Sequence, residues 1–413
     1  MTRARVVLFY QRVGLPWVFD SALKAGIDLV LVPRPDEPVD PVALPAAVVE
    51  VLAADLADPA RAAATLRAAY DRAPFDGIMT LYDPAVSFVA EVARGLGLPA
   101  LSAAAALAVR DKREMRRRLA ETGESVPGFA ALTGPREWAA AAGLRFPVVV
   151  KPAGGYSSLG VTRVDRPEDL AAVTAQVAEL AGDPAGGLVV EEYLDGPELA
   201  VESLVSGGAV RVLTVGYKGN PVGPHFEESV YIAPARLPAA TVEAVVRAVV
   251  GAHAALGVTD GPTHTELRLR GGSEPYVLEL GARVGGSGVS QYIVEGVTGI
   301  DLAADALRIA AGRPPEAPLR PAETLAVAAN YIVPCGGAGR ITAIAGLAEA
   351  GRDPRVDHLV QMLFPGDLVR PYPDFSGYPA FVLSRHPSYE DAERMHAELE
   401  RSIRISYAPE APG

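Results

Sequence analysis

The segment Thr263–Arg283 constrains the fold more tightly than any other. It runs Thr263-His264-Thr265-Glu266-Leu267-Arg268-Leu269-Arg270, then Gly271-Gly272-Ser273-Glu274, then Pro275-Tyr276-Val277-Leu278-Glu279-Leu280-Gly281-Ala282-Arg283. Strand-like runs on either side of a glycine turn predict a β-hairpin. With the turn centred between Gly272 and Ser273, Glu266 and Glu279 are equidistant from it and oppose one another across the strands, side chains on one face. Two like charges side by side destabilise a sheet unless a cation lies between them, and a hard divalent ion with oxygen ligands meets that need. Glu266 and Glu279 are therefore candidate metal ligands. By the same parity His264 faces Gly281, and Arg283 continues the face of Glu279. The plain alternative is a solvated face whose acids pair with Arg268 and Arg283; Glu279 within an apolar Val-Leu-Glu-Leu run weighs against it.

Two further segments carry chemistry. Val148-Val149-Val150-Lys151-Pro152-Ala153-Gly154-Gly155-Tyr156-Ser157-Ser158-Leu159-Gly160 places a lysine at a strand end before a loop of glycines and serines, where small residues let backbone amides approach an anion. The Walker order is absent, so phosphate binding here calls for a flap between strands; an ordinary surface turn is the alternative. Leu188-Val189-Val190-Glu191-Glu192-Tyr193-Leu194-Asp195-Gly196-Pro197-Glu198 runs from an apolar strand into a tight turn. There the Glu192 carbonyl and Leu194 amide suit an adenine edge and Glu198 suits ribose hydroxyls, unless the stretch is a solvated acidic loop.

Residues 1 to about 100 alternate β-like runs (Val6–Tyr10, Ile27–Val32, Val48–Val51, Gly77–Leu81) with amphipathic segments, the rhythm of a parallel α/β sheet. The turn after Gln11 lacks G-x-G-x-x-G, which excludes a dinucleotide fingerprint. A basic helix over Asp111–Thr122 opens a new region near 105, and a third follows 320, with a frayed tail expected over Tyr407–Gly413. At 413 residues, several domains are expected: 1–104, 105–320 and 321–413. The net charge of −12 and pI near 5.1 argue against nucleic acid and anionic membranes as partners. The early apolar run is too short for a leader or span, so a cytoplasmic location is expected. Cys335 stands alone, with packing as its expected role. Only four of the 38 basic residues are lysines, Lys24, Lys112, Lys151 and Lys218, so each lysine asks for a reason.

Taken in order, Asp111-Lys112, Phe146-Pro-Val-Val-Val-Lys-Pro152, Glu191-Glu-Tyr-Leu-Asp-Gly-Pro-Glu198 and Glu279-Leu-Gly-Ala-Arg-Val-Gly-Gly286, behind an N-terminal α/β region, resemble the ATP-grasp superfamily. More narrowly they resemble its carboxylate–amine ligases of the bacterial L-amino acid ligase type. The resemblance implies an α/β fold: a parallel-sheet N-terminal domain, an ATP-grasp fold of two α+β subdomains clasping ATP, and a C-terminal α+β region. It implies that Lys112 and Lys151 bind ATP phosphates, that the loop with Gly154, Gly155, Ser157 and Ser158 covers them, and that Glu191, Glu192, Tyr193, Leu194 and Glu198 hold adenosine. Glu266 and Glu279 then ligate Mg²⁺, for which Mn²⁺ can substitute, and Arg283 stabilises the anionic centre of the reaction. Gly281 departs from the family's asparagine, which puts a second metal in question. The other arginines around Lys112 (Arg110, Arg113, Arg116, Arg117, Arg118) are read as a solvated helix face. Pro224-His225-Phe226-Glu227-Glu228-Ser229 resembles the substrate-contacting stretch, which makes His225 and Glu228 candidates beside Arg283 and Gly286, His225 and Lys151 as catalytic groups too; a structural histidine is the alternative.

The implied activity is an ATP-dependent ligase that joins a small-molecule carboxylate to an amine, an amino acid among the substrates, through an acyl phosphate. A homodimer is compatible with this. Within the same fold the rivals are a carboxylase or formate-activating enzyme; outside it, a nucleotide-binding regulatory module without catalysis.

Overall fold

The computed structural model describes residues 3–11, 17–37, 39–40, 43–182, 187–220, 224–316, 324–370, 373 and 377–408. The turn after Gln11 and the last five residues of the expected tail lie outside that set. Strands β1 (Ala4–Gln11), β2 (Ile27–Pro33), β3 (Val48–Val51) and β4 (Gly77–Thr80) form a parallel sheet of order β3-β2-β1-β4, as the alternating rhythm predicted. Both faces are buried, which is why the central strands are apolar without interruption over Val6–Phe9 and Leu29–Val32. Val6, Leu8, Leu29 and Leu31 pack toward helix α1 (Trp17–Ala25). Val7, Phe9, Val30 and Val32 pack toward α2 (Pro59–Arg72) and α3 (Val86–Gly95).

Helix α4 (Ala103–Arg110) ends at Asp111, whose side chain in turn caps α5 (Lys112–Glu121) by accepting from the Arg113 amide. A capping aspartate satisfies an orphan donor and suits the positive end of the helix, so Lys112 is fixed at the first helical position. An antiparallel sheet of order β5-β8-β6-β7 follows, from β5 (Phe129–Leu132), β6 (Val148–Pro152), β7 (Thr162–Val164) and β8 (Leu188–Glu192). Helix α6 (Leu170–Leu180) backs it with Leu170 and Val177.

The largest sheet is antiparallel throughout. It contains β9 (Glu198–Ser206), β10 (Ala209–Tyr217), β11 (Val230–Ala233), β12 (Gly261–Arg270), β13 (Glu274–Gly281) and β14 (Val327–Ile332), and beyond a separate strand β15 (Gly339–Ala345) it adds β16 (Val356–Gln361) and β18 (Ala380–His386). Its order is β13-β12-β9-β10-β11-β14-β18-β16, so the sheet runs unbroken across residue 320. Strand β15 pairs instead with β17 (Leu368–Val369) and β19 (Arg404–Ala408). Helix α7 (Ala239–Leu256) is, among the described residues, the one helix long and apolar enough to cross a membrane. Its Val245, Val249, Ala252 and Leu256 pack on Leu267, Val277 and Leu280 of the hairpin. Helix α8 (Val289–Thr298) covers β14, and α9 (Leu302–Ala310) returns to the open face of the first sheet beside α1. Short α10 (Leu347–Ala350) and α11 (Tyr389–Ser402) close the opposite face around Tyr331 and Val382.

The hairpin reaches its register by a route the sequence did not announce. Beside the turn the pairs are Arg270 with Glu274, Arg268 with Tyr276 and Leu267 with Val277, centred on Gly272; then the ladder shifts and Glu266 faces Glu279. Leu278 is an extra residue, a β-bulge. Without it Glu266 would face Leu278 and Glu279 would turn to the other side of the sheet. The expected opposition therefore exists through a bulge plus a turn shifted by half a residue.

At the hinge Gly196 adopts φ of +111°, and a Cβ there would lie 2.2 Å from the Leu269 carbonyl oxygen. Only glycine accepts that backbone and that approach. Gly196→Ala should lower unfolding free energy by about 2 kcal/mol or more in urea titration; a loss below about 0.5 kcal/mol would show that the hinge is not seated on β12.

Candidate active site

Lys112 opens α5 with its amide donating to the Ala153 carbonyl at 2.9 Å, which ties the helix to the loop after β6. Its ammonium donates to the Gly155 carbonyl at 2.7 Å and lies 3.1 Å from Glu279. Arg116, one turn on, is 0% exposed. Its Nε donates to Glu191 at 2.5 Å and its Nη2 to the carbonyl of Leu278, the bulged residue. Lys151 holds the other oxygen of Glu191 at 2.7 Å. Burial alone would raise the Glu191 carboxyl, but Arg116 and Lys151 outweigh it and hold it at about 2. Glu191 is thus a buried anion that aims Lys151.

Each hairpin acid has a lysine as counter-ion. Glu279 takes Lys112, while Glu266 accepts from Lys218 at 2.6 Å. Lys218, at the end of β10, also lies 2.5 Å from Glu228 and 3.5 Å from Glu198. Carboxylate oxygens of Glu198, Glu228 and Glu266 lie within 4.8 Å of one another around this one ammonium. Burial lowers Lys218 but the three acids outweigh it and raise it well above the ordinary lysine value. For Glu228, burial and the neighbouring acids prevail over Lys218 and push its carboxyl up. Arg268 pairs with Glu198 at 3.1 Å and Arg283 with Asp83, so neither arginine serves the two hairpin acids and the solvated-face alternative fails.

His264 stands beside Glu266. Its Nδ1 is 2.8 Å from Glu202, which is fully buried and also accepts from Tyr231 and Ser290, and its Nε2 is 3.5 Å from Glu266. Burial would lower the imidazole, but Glu202 and Glu266 prevail and push it up to about 10. Near neutrality the ring is therefore a cation held between two acids. Arg283 donates from Nε to Asp83 at 2.7 Å, and Arg110 lies 3.2 Å from the other Asp83 oxygen. Asp83 comes from the turn after β4, so this pair of arginines joins the N-terminal sheet to the hairpin end. A Cβ on Gly281 would sit 3.8 Å from Asp83 and 3.9 Å from Arg283, ordinary contact distances.

These groups converge on a cavity of about 700 Å³. Of the residues expected from sequence, Lys112, Lys151, Gly155, Ser157, Ser158, Glu191, Glu192, Tyr193, Leu194, Glu198, Glu228, Glu266, Glu279, Arg283 and Gly286 line it. Gly154 does not; its carbonyl accepts from Arg110. Nor does His225, whose ring lies 3.3 Å from the carbonyl of the lining residue Val161. The Glu192 side chain is taken by the Arg145 amide and guanidinium, and the Leu194 carbonyl accepts from Arg268. Arg268 also lies over the stacked rings of Tyr193 and Phe226. The glycine loop bends through Ser157 and Ser158 at φ of +53° and +55°, and its Tyr156 meets Tyr82 edge to face at 5.9 Å.

Sequence reasoning missed Lys218, His264 and Asp83 as site groups, and it placed Arg116 and Arg110 on a solvated face where the structure buries the first and pairs the second with Asp83. Arg117 and Arg118 do pair with Glu114 on the outside of α5. A signal for Arg116 existed: it lies one turn from Lys112 and adjoins Met115, both inward-facing.

Comparison with known proteins places this geometry. Residues 19–100 match the ATP-grasp N-terminal domain, 144–291 the ATP-grasp domain, and 332–408 the L-amino acid ligase C-terminal domain 2. The crystal structure of L-amino acid ligase from Bacillus licheniformis superimposes with a TM-score of 0.86 at 37% identity, covering 99% of this chain and 100% of that one. The chain belongs to the ATP-grasp L-amino acid ligase family. A D-alanine–D-alanine ligase from Aromatoleum aromaticum is 32% identical over 191 residues, 45% of this chain and 60% of that protein. A biotin carboxylase from Campylobacter jejuni, at 18% identity and a TM-score of 0.72 over 97% of this chain and 92% of that one, shares the fold alone. Members of this ligase family use ATP and divalent metals in general.

The stabilisation from protonated His264 is complete below pH 6.5, the ordinary histidine value, and is lost as pH rises toward about 10. The melting temperature should fall more steeply over that interval in the wild type than in His264→Gln. Parallel profiles would show that Glu202 and Glu266 do not hold the charged ring.

Proposed function

We propose that this chain is an ATP- and Mg²⁺-dependent ligase that joins the carboxylate of an amino acid to an amine through an acyl phosphate, releasing ADP and phosphate. The observation that carries the reading is the direct opposition of Glu266 and Glu279, in one cleft with Lys112, Lys151 and Arg283. Membership of the L-amino acid ligase family supports it. The working units are 1–104, 105–320 and 321–413, the last two sharing one continuous sheet, the chain acts on small molecules in the cytoplasm, and a homodimer is compatible with the fold.

The donor set suits a hard ion: Glu266 and Glu279 offer carboxylate oxygens, and the adjacent histidine is protonated. These two residues would hold Mg²⁺ or Mn²⁺, with Glu228 beside them, and the bound ion would neutralise charge on phosphate oxygens. With Gly281 offering no side-chain oxygen, a further carboxylate donor would come from Glu228 or Glu198, whose oxygens lie within 4.8 Å of Glu266. Lys112 and Lys151 bind the phosphates, Lys151 aimed by Glu191. Tyr193, Leu194 and Glu198 hold the adenosine, and the loop over Gly155–Ser158 closes above it.

In the first step the substrate carboxylate attacks the γ-phosphorus and ADP leaves, giving a mixed anhydride with a good leaving group. In the second the amine attacks the carbonyl carbon, the tetrahedral centre carries its negative charge toward Arg283, and phosphate leaves with the C–N bond formed. Lys112, Lys151 and Arg283 are already held by acceptors, so little reorganisation accompanies charge development. Loop closure excludes water, which would otherwise hydrolyse the anhydride.

ADP and phosphate release, followed with amino acids and amines alone and in pairs, tests the reaction. Pair-dependent ADP release with a ligated product of matching mass is expected; release stimulated by bicarbonate instead would favour a carboxylase, and nucleotide binding without any turnover a regulatory module. Glu279→Gln should lower kcat by about 100-fold or more while melting within a few degrees of the wild type, the loss expected when an electrostatic partner of the transferring group is removed. Near-normal turnover would remove Glu279 from the site.

A further inference from the structure

Asn330 lies in the middle of β14, is 1% exposed, and has no hydrogen-bond partner for either its Oδ1 or its Nδ2. Buried carboxamides are almost always satisfied, so one with both ends open asks for an occupant. Among the described residues, Asn330 and Trp17 are the two cleft-lining side chains that carry a buried, unpartnered polar atom. Asn330 is the one that offers both a donor and an acceptor.

Its surroundings narrow what could meet it. Alternation along β14 places Ala328 and Ile332 on the same face as Asn330, under α8. Ile332 belongs to an apolar cluster with Val289, Phe381, Met362 and Tyr378, and all five line the cleft alongside Asn330. Thus one end of the cleft is a largely apolar chamber whose wall carries the Asn330 carboxamide beside the hydroxyls of Tyr231 and Tyr378, the first donating to Glu202 and the second accepting from the Glu228 amide. None of these residues is a cation, so a carboxylate placed there would be desolvated without a counter-charge from them. An aliphatic tip would leave both ends of Asn330 unmet, as they stand now.

We infer that this chamber is the side-chain subsite for one of the two amino acid substrates, and that Asn330 selects an extended, uncharged side chain ending in a carboxamide or hydroxyl. The word substrate rests on the ligase reading; the binding preference does not. The chamber is formed by β14, β18 and the segments around Met362 and Tyr378, all after residue 320, together with α8 before it, so it exists only where the fold brings these segments together.

Two near-isosteric pairs test this: glutamine against methionine, and tyrosine against phenylalanine, with glutamate as the charged control. Dissociation constants measured by calorimetry on the full chain, and kcat/KM in ligation with ATP and Mg²⁺, are compared for wild type and Asn330→Leu. The wild type should favour the polar-tipped member of at least one pair by about 10-fold or more and should reject glutamate. Asn330→Leu replaces both open polar atoms with apolar ones of similar shape, so the protein should fold, lose that preference through the polar-tipped member, and leave the KM for ATP in place. Asn330→Ala, which is smaller and likewise apolar, supplies the same comparison if leucine disturbs packing. No preference in either pair, or an equal loss for both members in the variants, overturns the inference. A binding preference that disappears in the variants without any ligated product would sink the ligase reading and leave the subsite standing. Ligation with no preference would do the reverse.

Discussion

Arg116 is buried completely on the inward face of α5, and from there it reaches two sheets: the Glu191 carboxylate on β8 and the Leu278 carbonyl on β13. Removing a guanidinium from water is costly, and its Nη1 finds no acceptor at all. The arrangement persists because each partner needs it. Leu278 is the bulged residue that turns Glu279 toward Glu266, and its carbonyl, out of the regular ladder, needs a donor. Glu191 is the anion that aims Lys151. One side chain therefore links the phosphate-side lysine to the register of the two acids.

The same economy runs through the cleft, where charges alternate instead of collecting by sign. Lys112 sits against Glu279, Lys218 among Glu198, Glu228 and Glu266, His264 between Glu202 and Glu266, and Asp83 between Arg110 and Arg283. Three carboxylates around one ammonium cannot all be fully compensated, which is why the Glu228 carboxyl is pushed up while Glu266 is held well down. A cleft in this state is short of positive charge near Glu228 and Glu266. That deficit supports the proposed placement of an oxygen-ligated cation beside Glu266.

Much of this site could be read from local sequence. The strand-turn-strand pattern was enough to oppose Glu266 and Glu279, although the assumed turn centre was half a residue off and the Leu278 bulge restored the pairing. The scarcity of lysine drew attention to Lys112 and Lys151, and both line the cleft. The same argument extended to Lys218, yet its role depends on three acids from β9, β12 and the segment before β11, and no local pattern links them. Treating the arginines of α5 as one solvated face succeeded for Arg117 and Arg118 and failed for Arg116, because charge alone does not report which helix face is covered. His225 was placed by its neighbours in sequence, and its ring meets the carbonyl of the lining residue Val161, while His264 lines the cleft directly.

By itself, then, the amino-acid sequence determined the elements and their local periodicities: apolar strands, a helix opened by Asp111, a hairpin carrying two acids, a tight turn after Leu194. Those follow from interactions between residues close in the chain. The tertiary structure alone decided which buried charges meet, that strands after residue 320 join the sheet begun at 198, and that Asn330 ends up unpartnered in an apolar chamber. Such outcomes depend on packing between segments far apart in sequence, where the cost of burying a polar group is settled by whichever partner the fold delivers.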